Sequence, residues 1–249
     1  MNNSQQSIKV PQITASFWVL TILLAGLGEG FSDYMGHTFH QLAFPCAGLA
    51  LIIILAIQNT IRHYNAVIYW LAFFAASVFG TMIADLSHGK LGVPLVISTC
   101  IFLTIQIIIM VTWRISEENV SFFYIVKGSS EAFYWATVLC MMALGTAAGD
   151  LAANPMRLGF LNSGLLFCAV MAIATVSNQL FKSDETIVFW IIYILARPFS
   201  ASFSDWLAAS PARSGLGLGA GTASLIFAVL VAISLAACQF TAIVKRKTG

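Results

Sequence analysis

Apolar residues run in long stretches separated by short polar breaks, at approximately 14–32, 42–58, 66–84, 92–113, 132–149, 158–180, 186–205 and 216–243. About 20 mostly apolar residues carry an α-helix across the ~30 Å hydrocarbon layer. The pattern therefore predicts an all-α integral membrane protein with eight transmembrane helices in one membrane domain, residues 1–249. A count of seven follows if the second run is too weak to insert. The breaks hold most of the charges, and also Gly36, Gly89, Asn154-Pro155 and Pro211, which is turn chemistry.

Composition narrows the class further. The chain is 59% hydrophobic and only 9% charged, with a mean hydropathy of +0.88. Soluble domains carry roughly 25% charged residues, so this chain cannot cover a water-facing surface. Soluble enzymes, nucleic-acid binders and disordered chains are excluded, and the lipid bilayer is the first partner. The opening MNNSQQSIKVPQI is polar, with Lys9 its one charge, and it lacks the pattern of a cleaved signal peptide. Lys9, Arg62, Arg114, Lys127, Lys182, Lys245, Arg246 and Lys247 fall on the N-terminal side, against Lys90, Arg157 and Arg213 opposite. By the positive-inside rule both termini are expected in the cytoplasm of an inner-membrane protein, with Lys245–Lys247 as an anchor at anionic headgroups. Cys46, Cys100, Cys140, Cys168 and Cys238 stand singly in apolar runs, which fits small lipid-buried hydrophobes better than disulfides or thiolate metal sites.

An internal repeat organises the chain. Phe17-Trp18 leads to Asp33, Tyr69-Trp70 to Asp85, Tyr134-Trp135 to Asp150 and Phe189-Trp190 to Asp205. In all four the Asp follows the Trp by fifteen positions, and a small residue follows it by ten: Gly28, Gly80, Gly145 and Ser200. Each unit reads as a helix ending in Asp, an outer loop and a returning helix, giving tandem helix-hairpin repeats at about 14–60, 66–115, 131–181 and 186–245. With an even number of helices per unit, the copies enter from the same side and are related by an axis along the membrane normal.

This pattern resembles a family of bacterial membrane proteins built from four tandem two-helix repeats of unknown function, each with a characteristic Trp. Trp18, Trp70, Trp135 and Trp190 fit that Trp, and Gly28–Asp33, Gly80–Asp85, Gly145–Asp150 and Arg197-Pro198 to Asp205 fit its helix ends. The resemblance implies the repeat count and no activity. The units differ in that the first adds Glu29 and the last adds Arg197.

The Trp set is expected to form an aromatic belt at the inner headgroups and to pack the repeats, or alternatively to provide a shared binding platform. The glycines should let helices approach closely. The aspartates either cap their turns or converge on one axis, and rings of carboxylates are a recurrent way to attract and select cations. Glu29 lies four residues before Asp33 on the same helical face, and Thr81 and Thr146 take the corresponding place before Asp85 and Asp150. Carboxylates with hydroxyls suit hard or borderline divalent cations, such as manganese or magnesium, or protons. His37 and His40 follow Asp33 and His88 follows Asp85 in the expected outer loops, where they could recruit a softer metal such as zinc. No histidine is expected inside a span. Arg197 is the basic residue set well inside one. It calls for a named partner, expected to be Glu29 or Asp33, while Pro198 is expected to kink or open the helix.

A small-cation transporter or channel is the leading expectation, with a divalent metal ion as substrate and no resident cofactor. An integral-membrane redox protein or enzyme is the alternative. A structural or accessory membrane protein is the third class.

Overall fold

The computed structural model describes residues 8–117, 119–182 and 184–248. Among them there is no strand. The helices are α1 (Ala15–Phe39), α2 (Ala43–Thr60), α3 (Ala66–Asp85), α4 (Leu95–Glu117), α5 (Ser129–Ala153), α6 (Gly159–Phe181), α7 (Glu185–Ala208) and α8 (Ala220–Thr248). Side-chain oxygens start three of them. Thr14 accepts from the Phe17 amide, Asn65 from Ile68, and Asp184 from Thr186, each satisfying an amide that the first turn leaves free.

Among the described residues, seven helical segments are long and apolar enough to cross a membrane. The first, Ala15–Thr60, contains both α1 and α2, joined by a 3₁₀ turn at His40–Leu42. The break expected after residue 32 is itself helical, because Asp33, Gly36 and His37 do not interrupt backbone hydrogen bonding and no proline intervenes before Pro45. α1 thus runs through His37 to Phe39, and a π turn, Leu86–Lys90, carries α3 past His88. The expectation that the histidines would lie in outer loops clear of the helices is corrected at both places.

α1, α3, α5 and α7 form a closed inner ring, each packed on the next and α7 returning to α1. The even helices lie outside. α2 packs on α3, α4 on α5, α6 on α7 and α8 on α1, so a returning helix covers the first helix of the neighbouring unit more than that of its own. The repeat is therefore a cyclic interlock and not a row of self-packed hairpins. The outer helices leave Ile52, Ile97, Ile108, Ile173, Leu225 and Ile233 exposed. Apolar surface of this kind suits contact with lipid, and the helices have the length and apolarity of a membrane protein's.

The glycines at the tenth position set the ring spacing. A methyl group on Gly28 would meet Ser77, one on Gly80 would meet Met142 and the Ala143 amide, and one on Gly145 would meet the Arg197 side chain and the Pro198 nitrogen. Each glycine therefore faces the next helix of the ring, where only hydrogen fits. Gly145→Ala is expected to cost about 1–3 kcal/mol by overpacking, read as a lower unfolding midpoint in detergent; an unchanged midpoint would contradict this contact.

At the N-terminal ends of the ring helices, Phe17, Trp18, Tyr69, Trp70, Tyr134, Trp135, Phe189, Trp190 and Tyr193 join one aromatic cluster. Trp135 and Trp190 are buried, and the Trp190 indole donates to the Val120 carbonyl at 2.8 Å. Trp18 and Trp70 are half-buried against the same cluster, so the repeat Trp residues pack the units together. The cysteines are free, with Cys140 buried and Cys46, Cys100 and Cys168 exposed on the outer helices α2, α4 and α6. The side chains of Lys245, Arg246 and Lys247, the expected headgroup anchor, lie outside the described residues.

Candidate functional site

Equivalent positions of successive repeats meet on the ring axis. Eleven residues after each Trp stand Glu29, Thr81, Thr146 and Ala201. Thr81 Oγ1 lies 2.9 Å from Glu29 Oε2, Thr146 Oγ1 lies 3.0 Å from the same oxygen, and the two hydroxyls are 3.4 Å apart. Arg197, one turn earlier on α7, reaches into this group from the fourth repeat. Its Nη2 donates to Glu29 Oε2, to Thr81 Oγ1 at 2.5 Å and to Thr146 Oγ1 at 2.9 Å, while Nη1 donates to the Ala25 carbonyl at 3.3 Å. Glu29 and Arg197 are 2% and 1% exposed, so this ion pair sits out of solvent and joins all four inner helices. Glu29, and not Asp33, takes the guanidinium. α7 runs unbroken through Pro198, which corrects the expected opening of the helix there. The close packing of Gly145 on Arg197 and Pro198 supports the helix at that point.

One turn further out, Asp33, Asp85, Asp150 and Asp205 line a single cavity of about 550 Å³ that has Glu29 at its base and Arg213 at its edge. His37 and His88 also border it. A neighbouring cavity of about 490 Å³ shares Asp33, Asp85 and His37 and adds His40 and Lys90. His40 is the residue at the α1–α2 turn, with a left-handed φ of 48°. Five carboxyl groups against the one lining guanidinium, Arg213, with Arg197 already paired to Glu29, give the larger cavity a surplus of acid. Asp85, His88 and Asp150 bring potential ligand atoms within 4.8 Å of one another.

Toward the N-terminal ends the axis is closed by hydroxyls that sequence reasoning missed. Tyr69 and Tyr134 bring their phenol oxygens to 2.5 Å, and Tyr134 and Tyr193 to 3.0 Å, with all three rings fully buried. Two of the three precede the repeat Trp, but that position reads only as an aromatic one because the other repeats place Phe there. A second missed cluster lies lower still. Lys9 Nζ donates to Glu131 Oε2 at 2.5 Å and to the Gln58 carbonyl at 2.7 Å, and Gln58 Nε2 donates to Glu131 Oε1 at 3.2 Å. Lys9, assigned by charge pattern to the N-terminal-side surface, is 1% exposed.

The repeat family described as Repeat of Unknown Function (DUF347) matches residues 68–119, 133–182 and 188–243. These three matches take in the second, third and fourth units; the first unit shares the Trp-to-Asp spacing but lies outside them. No curated protein and no solved structure matches the chain.

Proposed function

The chain belongs to the DUF347 repeat family, which carries no assigned activity, and from the acidic cavity we propose that it is a multi-pass transporter for a small cation. The observation that carries this reading is the convergence of Asp33, Asp85, Asp150, Asp205 and Glu29 on one cavity. Carboxylates near helix ends are costly against lipid, and a set of them around one axis concentrates cations. The chemistry favours a transporter over an open channel, because the Arg197–Glu29 group and the tyrosine layer fill the axis beyond the cavity. Passage then requires these contacts to open, with the aspartates as the outer station and the threonine hydroxyls as the next oxygen ligands.

In this reading the protein lies in the inner membrane with both termini cytoplasmic, the acidic cavity facing outward and four two-helix repeats making eight crossings. Counting α1 and α2 as separate crossings is supported by their contacts. Ala43 and Ala47 pack with Val78 and Met82 near the outer end of α3, whereas Gln58 meets Lys9 and Glu131 at the opposite end. A scaffold whose repeats only pack is the competing reading, and the paired Arg197 favours it.

Growth of a deletion strain across manganese, zinc, iron, cobalt, nickel and low pH separates the two. Wild-type protein is expected to restore growth in at least one condition, and Asp85→Asn and Asp150→Asn are expected to fail while inserting normally. Full restoration by both variants would leave the scaffold reading in front.

A further inference from the structure

We infer that Asp85, His88 and Asp150 form a binding site for a borderline divalent metal ion, of the manganese, cobalt or zinc type, at the wall of the acidic cavity. The inference rests on the transport reading for the ion's role as cargo, but its geometry stands separately. His88 Nδ1 lies 3.1 Å from the Ala84 carbonyl oxygen. A carbonyl can only accept, so Nδ1 donates to it, and Nε2 is the ring nitrogen left to face the carboxylates. A backbone carbonyl on one ring nitrogen commonly orients a metal-binding histidine.

Nε2 in turn faces Asp150 Oδ2 at 4.0 Å. That separation is too long for a hydrogen bond, so no proton bridges the two atoms. His88 Nε2 and the Asp85 and Asp150 carboxylates offer ligand atoms within 4.8 Å of one another; the Asn154 side-chain amide donates to Asp150 Oδ1 at 3.3 Å, and a cation held among the three groups draws on the oxygens and the ring nitrogen that remain. Tetrahedral coordination at about 2.0–2.2 Å brings ligand atoms to roughly 3.4 Å from one another, a contraction that side-chain rotation can supply. His88 lies in the π turn Leu86–Lys90 and borders the cavity, and such π segments often occur at functional sites.

The donor set chooses the metal. One imidazole with two carboxylates is softer than the all-oxygen shells preferred by magnesium and calcium. It also neutralises a divalent charge with the two carboxylates alone. His37 borders the same cavity but does not join the cluster, and His40 lies in the neighbouring cavity.

Co²⁺ alone, titrated into the full-length protein in detergent, provides the test through its visible d–d absorption. Wild type is expected to bind one ion per chain, unaffected by a roughly 100-fold excess of Mg²⁺ and displaced by Zn²⁺. His88→Ala and Asp150→Asn should each weaken binding by at least about tenfold, and His40→Ala should match wild type. Absence of a Co²⁺ band in wild type, or equal affinity in His88→Ala, overturns the site. Co²⁺ binding without flux in vesicles keeps the site and discards transport. Flux of a monovalent cation without Co²⁺ binding does the reverse.

Discussion

Arg197→Ala is expected to destabilise the protein by about 3–5 kcal/mol, the usual effect of stranding one member of a buried pair. The residue left behind is Glu29, 2% exposed, with only the Thr81 and Thr146 hydroxyls for company. Glu29→Ala should cost a similar amount, because it strands a guanidinium whose Nε already lacks a hydrogen-bond partner among the described atoms. The double variant should be less destabilised than the sum of the two, since removing both charges leaves neither unpaired. Arg197→Lys should rescue poorly. An ammonium cannot reproduce the fork that reaches Glu29, two threonines and the Ala25 carbonyl at once. Denaturant unfolding in micelles measures all four variants, and strict additivity would refute the coupling.

Lys9→Met should cost about 3 kcal/mol by the same logic, with a local signature as well. Lys9 secures the segment before α1 in two ways: its ammonium pairs with Glu131, and its backbone amide donates to the Ile125 carbonyl at 2.9 Å. The next tie is the Tyr64 amide, which donates to the Ile8 carbonyl at 3.1 Å. In Lys9→Met the Glu131 carboxylate keeps only Gln58, and the amides around residues 8–10 should exchange with solvent faster than in wild type. Restored stability is expected on adding Glu131→Leu, which removes the stranded charge. Unchanged stability and unchanged exchange in Lys9→Met would contradict the assignment of this pair as the tie between the N-terminal segment and α5.

Much of this architecture is legible in the sequence because lipid imposes few solutions. Long apolar runs must be helices, and identical Trp-to-Asp intervals place the four aspartates at one depth. The Arg197 partner follows from cost, since an arginine so deep needs an acid from another helix. The misses share a cause. Polar residues such as Asp33 and His37 read as a break, yet they are accommodated in a helix that lines a cavity. Trp135 and Trp190 are expected to pack the repeats, but how deeply the ring buries them depends on which helices meet there. Tyr69, Tyr134 and Tyr193 become a hydroxyl chain only when three helices meet, and no single-chain periodicity carries that information. Lys9 and Glu131 lie 122 residues apart in sequence, so their pairing depends on how α5 docks against the N-terminal segment.

The shared aspartate cavity is expected to admit a cation for transport. Uptake of a divalent metal into proteoliposomes containing the purified full-length protein measures it most directly, with wild type, Asp85→Asn and Asp150→Asn inserted in equal amounts. The account predicts uptake above protein-free vesicles for wild type and background uptake for both variants, whose cavities have lost a carboxylate while keeping the Arg197–Glu29 core. Equal uptake by all three proteins, or none by wild type for any cation tried, would contradict it.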